Sequence, residues 1–386
     1  PGPIGLDELQ LGKRTGRVSW RRSRRVAPLQ PSRGVGQVGL ELTPEDLATR
    51  HPPNDPAYLF RRLLRVRTWR EGLPDLGSEG RAHVDAHYDL ALPEVISQSS
   101  SDDGSTKLLL RLADGAEIEV VHMPRAVKNP RVTLCISSQV GCGMGCRFCA
   151  TATMGFRRQL TAAEIVAQVL VATRELGPED STRITIVFMG MGEPLQNLPE
   201  VSKAIAILAD ERGLGIPVGR ITVSTSGLVP QIDALAQLPV RPCLALSLNA
   251  TTDAIRSSIM PVGKTWNLQA LREALLRFPL RSHEKITLEY VLLAGVNDSD
   301  DDATRLAAFA TGFRHVVNVI PWNAWEGVPY TETSEERLQA FVKRMQDAGV
   351  LVTVRRSRGR DVAAACGQLV RAQEKNRRSP RLPVML

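Results

Sequence analysis

The chain has 386 residues and a net charge of +8, and 43% of its residues are hydrophobic. This apolar fraction allows a sizeable core and excludes a wholly disordered chain. No stretch approaches the roughly 20 apolar residues of a membrane helix, and no apolar signal segment opens the sequence. We therefore expect a monomeric, cytoplasmic protein that has no membrane partner.

The basic charge is concentrated at the two ends of the chain. Residues 1–42 carry a net charge of +5 and residues 371–386 a net charge of +4, so residues 43–370 are close to neutral. Basic tails commonly contact the phosphate backbone of nucleic acids. The pattern predicts a disordered basic tail at each end, which either binds RNA or is simply solvated.

Residues 43–125 read as an accessory module that precedes the main domain. Helical patterns occupy its first part, beginning with the helix start signal at Thr43. Ser99–Ser105 reads as a loop, and Lys107–Leu112 and Glu117–Met123 flank a turn and predict a β-hairpin. We expect a small helical module with a hairpin, and an RNA-binding role for it is implied only by the family resemblance given below.

Residues 126–370 show strands and helices in regular alternation. The predicted strands are Thr133–Ser137, Arg183–Phe188, Arg220–Thr225, Cys243–Leu248, Ile286–Leu293, Val316–Ile320 and Val350–Val354. The predicted helices are Ala162–Glu175, Leu198–Glu211, Gln231–Ala236, Leu268–Phe278, Ala303–Phe309 and Ser334–Ala348. Alternation of this kind predicts parallel strands joined by crossover helices, hence an α/β fold with a full or partial barrel. Such folds carry their chemistry at the carboxyl ends of the strands.

A cysteine cluster follows the first predicted barrel strand at its carboxyl end. Cys142, Cys146 and Cys149 form a C-x3-C-x2-C motif in a glycine-rich loop. Three thiolates can bind three irons of a 4Fe–4S cluster, which leaves the fourth iron open to S-adenosylmethionine (SAM). A zinc knuckle or a purely structural cluster is the alternative, but zinc sites usually have four protein ligands. The motif therefore favours a radical SAM enzyme.

Later strand ends carry small polar residues that suit a bound SAM molecule. Gly192 and Glu193 begin a Gly-Glu-Pro turn after the second barrel strand, where a carboxylate or carbonyl can accept from the SAM ammonium group. The remaining predicted SAM contacts are Ser224, Ser247, Leu248, Asn249 and Asn323. Taken singly, each of these residues is more often an ordinary strand cap, so the prediction depends on their common position.

Several segments of the barrel region match one family pattern, namely CISSQVGC, CRFCAT, VFMGMGEPL, STSG, LSLNA, IPWN and RGRDVAAACGQL. On these segments the chain resembles the RlmN/Cfr family of radical SAM RNA methyltransferases, over roughly Ile118 to Val370. The pairing of Cys135, seven residues before the cluster motif, with Cys366 near the C-terminus carries most of the resemblance.

The resemblance implies a mechanism with two additional cysteines. Cys366 would take a methyl group from one SAM, and cleavage of a second SAM would generate a radical that activates this methyl group for addition to adenine. Glu119 would remove the ring proton, and Cys135 would attack Cys366 to release the methylated RNA and leave a disulfide. The implied partners are 23S rRNA, tRNA and an electron-donor protein such as flavodoxin.

Two other functions remain open at this point. One is Cfr-type methylation at carbon 8 of the adenine, although SSQVGC and MGF are more similar to RlmN and favour carbon 2. The other is a metal-binding RNA-binding protein without catalysis. Cys243 matches no motif position and is interpreted as structural. Candidate phosphate contacts are Arg157, Arg158, Lys264, Arg355, Arg356 and Arg358.

Overall fold

The computed structural model describes residues 91–125, 131–176, 183–325 and 327–369, together with two short strands, β1 (Gln37–Val38) and β2 (Tyr88–Asp89). The helices predicted in the accessory module, the C-terminal tail and the rest of the N-terminal tail lie outside the described residues. β1 pairs in parallel with β2. Gln37–Val38 lie within the segment that the sequence predicts as a basic tail.

One ten-stranded sheet dominates the described part of the chain. Its strands are β3 (Glu94–Ser100), β4 (Thr106–Arg111), β5 (Glu117–Arg125), β6 (Arg131–Cys135), β9 (Ile184–Phe188), β10 (Ile221–Thr225), β11 (Cys243–Ser247), β12 (Ile286–Leu292), β13 (His315–Pro321) and β14 (Val352–Val354). The strands lie side by side in chain order. All pairs from β6 to β14 are parallel, whereas β3, β4 and β5 extend the sheet in antiparallel fashion.

Seven α-helices lie within the described ranges and connect the parallel strands. They are α1 (Ala162–Leu176), α2 (Leu198–Ala209), α3 (Val229–Ala236), α4 (Asp253–Ile259), α5 (Leu268–Arg277), α6 (Asp300–Phe309) and α7 (Glu335–Asp347). All seven strands and six helices predicted for the barrel are present, which confirms the α/β fold. The sequence prediction lacked the short helix α4, which begins where the Thr252 side chain accepts from the Ile255 N–H.

The barrel strands alternate between an apolar outer face and a polar inner face. In β10, Ile221 and Val223 are fully buried, whereas Thr222 and Ser224 line cavities inside the barrel. Strands of a parallel sheet are usually apolar on both faces because helices cover both. Here the inner face borders a polar cavity. The alternation of apolar and polar residues along the strand therefore indicates a hollow barrel.

The chain after β14 closes the open side of the barrel. We call residues 355–369 the C-terminal strap. The Asp361 carboxylate accepts from the Ser101 hydroxyl at 2.6 Å, and the Ala363 carbonyl accepts from Lys107 Nζ at 3.1 Å. These bonds connect the end of the barrel to the β3–β5 extension at its beginning. Strand β3, for which the sequence predicted no element and a loop from Ser99, is part of this closure.

The described helices include none that is long and apolar enough to cross a membrane.

Candidate active site

The cysteine loop is shaped by a small hairpin of β7 (Gln139–Gly141) and β8 (Phe156–Gln159). Gly141 has φ of +76°, and a Cβ at this position would lie 1.9 Å from the Gly155 carbonyl oxygen. The Cys142 N–H donates to the same carbonyl at 2.9 Å. Only glycine fits such a close approach, so the loop geometry depends on this residue.

Cys142, Cys146 and Cys149 line one cavity of about 170 Å³. Burial, and then repulsion from Cys149 and Glu193, raises the pKa of Cys142 to about 12, and the pKa values of Cys146 and Cys149 are raised mainly by burial as well. Three partly buried thiols whose anions would repel one another require a cationic centre before all of them can ionise. This donor set therefore fits an iron–sulfur cluster, whose irons bind thiolates.

Within the described ranges, no three His, Cys, Asp or Glu side chains converge on a position where a single metal ion could bind.

The predicted SAM contacts gather around the same cavity. Gly192, Glu193, Ser224, Ser247, Asn249 and Asn323 all line it beside the three cysteines. Leu248 is the exception. Its side chain is fully buried in the core and is not among the lining residues of the two cavities described for this structure. Leu248 instead contributes its backbone, since its carbonyl accepts from the buried Arg256 Nε at 3.3 Å.

Glu193 has a structural task in addition to its position at the cavity. Its carboxylate accepts from the Ser226 N–H at 2.7 Å, from the Ser226 hydroxyl at 2.8 Å and from the Leu195 N–H at 3.1 Å. Burial nevertheless raises the pKa of Glu193. Gly192 before it has φ of +106°, with the Gln139 side chain 2.6 Å from where a Cβ would be. The turn is therefore rigid before any ligand binds.

Asn249 is held in an unusual backbone conformation at the cavity wall. Its φ is +56°, a region that asparagine tolerates better than most residues. The side-chain oxygen accepts from the Val291 N–H at 2.9 Å, and the side-chain nitrogen contacts Met260 Sδ at 3.3 Å. Backbone strain of this kind concentrates at functional sites.

Hydrogen bonds position Cys366 at the cluster cavity. The Asn323 side-chain nitrogen donates to the Cys366 carbonyl at 3.0 Å. In the adjacent strap residues, the Gly367 carbonyl accepts from the Ala150 N–H at 2.7 Å. Asn323, predicted as a cofactor contact, therefore also fixes the backbone of this cysteine. Cys366 lines the cluster cavity although 217 residues separate it from Cys149 in the sequence.

Cys135 lies on the other side of Cys366, in a second cavity of about 660 Å³ whose wall also includes Cys366. Cys135 is only 5% exposed, whereas Cys366 is partly exposed. Burial, followed by the charge of Cys366, raises the pKa of Cys135 to about 12, and Arg355 opposes this rise. The structure thus places Cys135 and Cys366 on the wall of one cavity, where they differ in exposure to solvent.

Arg355 and Glu289 stand between the two cavities, because both residues line both. Sequence reasoning assigned Arg355 to phosphate binding at the surface and did not single out Glu289. No local motif marks the two residues as a pair, since Glu289 lies on β12 and Arg355 lies in the C-terminal strap. The inward position of Glu289 on β12 was the available signal, because a carboxylate in the middle of a buried strand requires an explanation.

Glu119 is placed apart from these residues. Its side chain is 2% exposed, and its carboxylate lies 3.0 Å from Lys107 Nζ. It is not among the residues that line the two cavities described here. The structure therefore does not bring the predicted general base to the cavity wall.

Most of the arginines predicted to contact phosphate are paired with acids. Arg158 lies 2.8 Å from both Glu164 and Asp114, and Arg356 lies 2.7 Å from Glu335. The remaining residues of the set divide into Arg358, which lies 3.6 Å from Asp103, and the exposed Arg157 and Lys264. Cys243 contacts the Gly219 carbonyl and is not in the lining of either cavity described, in keeping with a structural role.

Comparisons with known proteins agree with this geometry. Residues 136–307 match the model of the Radical SAM superfamily. The chain is 46% identical over 304 residues to "Dual-specificity RNA methyltransferase RlmN" of Lawsonia intracellularis (strain PHE/MN1-00), which covers 78% of this chain and 85% of that protein. The protein of the same name from Magnetococcus marinus (strain ATCC BAA-1437 / JCM 17883 / MC-1) is 46% identical over 309 residues, with 80% and 85% covered.

A solved structure shows the same fold. The crystal structure of a radical SAM methyltransferase from Sphaerobacter thermophilus is 38% identical, with a TM-score of 0.79, and the match covers 86% of this chain and 98% of that one. The match to the Lawsonia protein, over 304 residues, is longer than the superfamily region of residues 136–307. By its similarity to these relatives, the chain belongs to the RlmN family of radical SAM RNA methyltransferases.

Proposed function

We propose that this protein methylates carbon 2 of a specific adenine in 23S rRNA and in tRNA. The observation that carries the proposal is the shared cavity, in which Cys366 lies beside Cys142, Cys146 and Cys149. A thiol that could be methylated thus stands where radical chemistry would be generated. The dual specificity in the names of the relatives supports both RNA classes as substrates.

The chemistry of adenine explains why the site contains more than a SAM pocket. Carbon 2 lies between two ring nitrogens and is electron-poor, and the SAM methyl group is itself an electrophile. Direct polar transfer between the two has no favourable path. A 4Fe–4S cluster with SAM supplies an organic radical when it is bound, and such chemistry does not need a nucleophilic carbon.

Residues that could hold the cluster and SAM line the same cavity. Cys142, Cys146 and Cys149 would hold the cluster. The side chains available to SAM are those of Glu193, Ser224, Ser247, Asn249 and Asn323, with Gly192 leaving room at the turn. The rigid hydrogen bonds of Glu193 and Asn249 would hold this wall in place, which lowers the entropic cost of binding.

The two further cysteines have different roles because their surroundings differ. Cys366 is partly exposed and accessible from the cluster cavity, so it serves as the methyl acceptor. Cys135 is buried behind it, and its raised pKa keeps it protonated until it is needed to attack Cys366. One SAM would supply the methyl group and a second the radical, so each turnover uses two. Exchange with a cellular thiol would then reduce the disulfide.

Glu119 remains our proposed general base for the ring proton. It lies on β5, covered by the strap through the Lys107–Ala363 bond, and its carboxylate pairs with Lys107. To act as a base, Glu119 would have to leave this ion pair when RNA binds. A change in the strap that exposes Glu119 would provide for this.

An exposed aromatic residue beside the cysteine loop suits RNA binding. Phe156 on β8 is 48% exposed, and the exposed Arg157 follows it. Unpaired bases stack on aromatic side chains, and arginine binds phosphate, so this pair fits an RNA loop better than a duplex. The target adenine would leave its stack to reach the cavity. A flavodoxin-type protein would deliver the electron.

The direct test is methylation of 23S rRNA fragments and tRNA by the anaerobically reconstituted protein, followed by mass spectrometry of the nucleosides. We expect 2-methyladenosine, and 8-methyladenosine would identify the Cfr-type alternative. Formation of 5′-deoxyadenosine from SAM tests for catalysis separately. A protein that binds RNA but forms neither product would be the non-catalytic alternative.

A further inference from the structure

Arg355 is the first residue of the strap, and its backbone and its side chain both lie in defined positions. Its backbone N–H donates to the Val319 carbonyl at 2.8 Å, which continues the pairing of β13 with the chain after β14. Its guanidinium group lines the cavity that contains Cys135 and Cys366. A cation is therefore held beside two cysteines that, under the proposed function, react with each other.

The contacts of this guanidinium group are loose. Nη1 lies 3.7 Å from Glu289 Oε1 and 3.2 Å from Met189 Sδ. An arginine has five N–H donors, and a thioether sulfur is a weak acceptor. Among the described residues, Glu289 Oε2 is buried without a hydrogen-bond partner. The cation and the carboxylate thus hold each other in the cavity without saturating their bonding capacity.

Cys135 is the group in this cavity that most needs a cation. A thiol with a pKa of about 12 is almost entirely protonated at neutral pH, and the attacking species in thiol exchange is the thiolate. Burial and the charge of Cys366 oppose ionisation, whereas Arg355 and the Met189 N–H favour it. In turn, the pKa of Arg355 is raised, first by Cys366 and then by Glu289 and Cys135.

We propose that Arg355 is a positioning residue for the release step, in which it stabilises the Cys135 thiolate as this attacks Cys366. The inference rests on the proposed function and assigns a role that the cysteines alone do not explain. Glu289 holds the guanidinium group in place and is itself held by the Asn318 side-chain nitrogen at 3.1 Å. Arg355 therefore acts through Cys135 and not as a phosphate contact.

The step balances without an external oxidant. Cys135 loses its proton to solvent, and its thiolate forms a bond to the Cys366 sulfur. The bond from that sulfur to the methylene carbon on the RNA breaks, and its electron pair stays with the carbon, which takes up a proton and becomes a methyl group. The two sulfurs together lose two electrons when the disulfide forms, and the carbon gains these two electrons.

The first test isolates this attack from RNA and from SAM. In reconstituted protein carrying Cys243→Ser, Ellman's reagent would place a thionitrobenzoate group on the partly exposed Cys366. Attack by Cys135 on the Cys366 sulfur then forms the disulfide and releases thionitrobenzoate, which is measured by its colour. We expect Arg355→Gln to slow this release by about threefold, because a rise of one unit in the pKa of the attacking thiol lowers the thiolate fraction about tenfold while its nucleophilicity rises about threefold.

Matched variants separate electrostatics from folding. Arg355→Lys keeps the charge and should retain more of the rate than Arg355→Gln. Arg277→Gln removes an arginine whose pair with Asp233 is exposed, at 2.9 Å, and should release at the unmodified rate. Iron content and the unfolding midpoint should be the same in all three variants. Equal release rates for Arg355→Gln and Arg277→Gln would overturn the proposal.

The second test uses the complete reaction with RNA. If Arg355 serves release, Arg355→Gln should accumulate a covalent protein–RNA adduct on denaturing gels, as Cys135→Ala should. An Arg355→Gln protein that forms no adduct while Cys135→Ala does would place Arg355 at an earlier step and contradict the inference. If Cys135→Ala also forms none, the proposed function fails, while the release of thionitrobenzoate still reports on Arg355.

Discussion

Two arginine–glutamate pairs with buried carboxylates lie in the barrel, and they differ in geometry and in the exposure of the arginine, which is 9% for the Arg241 side chain and 27% for that of Arg355. At the amino ends of β11 and β12, Arg241 forms two bonds to Glu284 at 2.6 and 2.8 Å, and its guanidinium group lies 4.9 Å from the centre of the Phe278 ring. Inside the barrel, Arg355 and Glu289 are 3.7 Å apart. The pKa of Glu284 is lowered by Arg241 despite burial, whereas burial raises the pKa of Glu289.

The comparison separates a structural pair from a functional one. A bidentate arginine–carboxylate pair places two hydrogen bonds on the carboxylate, and Glu284 also accepts from the Arg281 N–H at 2.9 Å. We call Arg241–Glu284 the closed pair and Arg355–Glu289 the open pair. The open pair leaves N–H donors on Arg355 and a carboxylate oxygen on Glu289 beside Cys135 and Cys366. A buried carboxylate that is only partly paired is costly, and this cost at Glu289 supports the role that we propose for Arg355.

The largest effect is expected from removing the methyl acceptor. Cys366→Ala should lower RNA methylation by at least about a thousandfold, because a nucleophile that forms a covalent intermediate has no substitute. The matched change Cys243→Ala, at a cysteine near the closed pair, should leave methylation within about twofold, since surface-like changes are usually near neutral. Measurement of methyl transfer from labelled SAM to RNA compares the two. Equal activities would remove Cys366 from the mechanism.

The next effect distinguishes the two glutamates by stability. Glu284→Gln should destabilise the fold by about 3 kcal/mol, because it leaves the buried Arg241 without its counter-charge. Glu289→Gln should change stability by less than about 1 kcal/mol, since it also removes a charge that burial disfavours. Denaturant unfolding of the cluster-loaded protein measures both. A larger loss in Glu289→Gln than in Glu284→Gln would reverse the assignment of structural and functional pairs.

The dependence of stability on pH should have opposite signs for these two carboxylates. Glu284 has a lowered pKa in the fold, so it stabilises the protein above its unfolded pKa of about 4 and this contribution disappears on acidification. Glu289 has a raised pKa, so its ionised form destabilises the fold and protonation on acidification relieves this. Unfolding should therefore be less acid-sensitive in Glu284→Gln below about pH 4, and more acid-sensitive in Glu289→Gln between about pH 4 and 7.

The smallest effect is expected at the protein surface. Arg277→Gln removes an exposed ion pair with Asp233 and should cost less than about 0.5 kcal/mol of stability. Salt should make this loss of stability smaller still, since salt screens exposed ion pairs. Unfolding at low and high ionic strength checks this. A loss comparable to that of Glu284→Gln would show that burial is not what distinguishes the closed pair.

The sequence predicted the barrel because each strand and helix carries its own periodic signal. The alternation of Thr222 and Ser224 with buried Ile221 and Val223 is an example, and the glycines and cysteines of the loop are local as well. The predicted contacts around the cluster also converged, because parallel strands bring their carboxyl ends to one edge. Leu248 did not, since the side chain after a strand end can turn into the core.

The closure of the barrel could not be predicted in the same way. It depends on contacts such as Ser101 with Asp361, which lie 260 positions apart and belong to segments without a regular pattern. The position of Arg355 could not be predicted for the same reason. Its basic neighbours indicated a surface, but the strap folds inward and carries this arginine to the cysteines. For Glu119, the family resemblance pointed to the residue, but its ion pair with Lys107 could not be predicted from the sequence.

The most direct test of the central claim is to identify the residue that becomes linked to RNA. In Cys135→Ala, release is blocked, and we predict that nuclease and protease digestion followed by mass spectrometry will find an adenine joined to Cys366 through one carbon. An adduct at any other residue would contradict this account. So would normal release of methylated RNA from the variant.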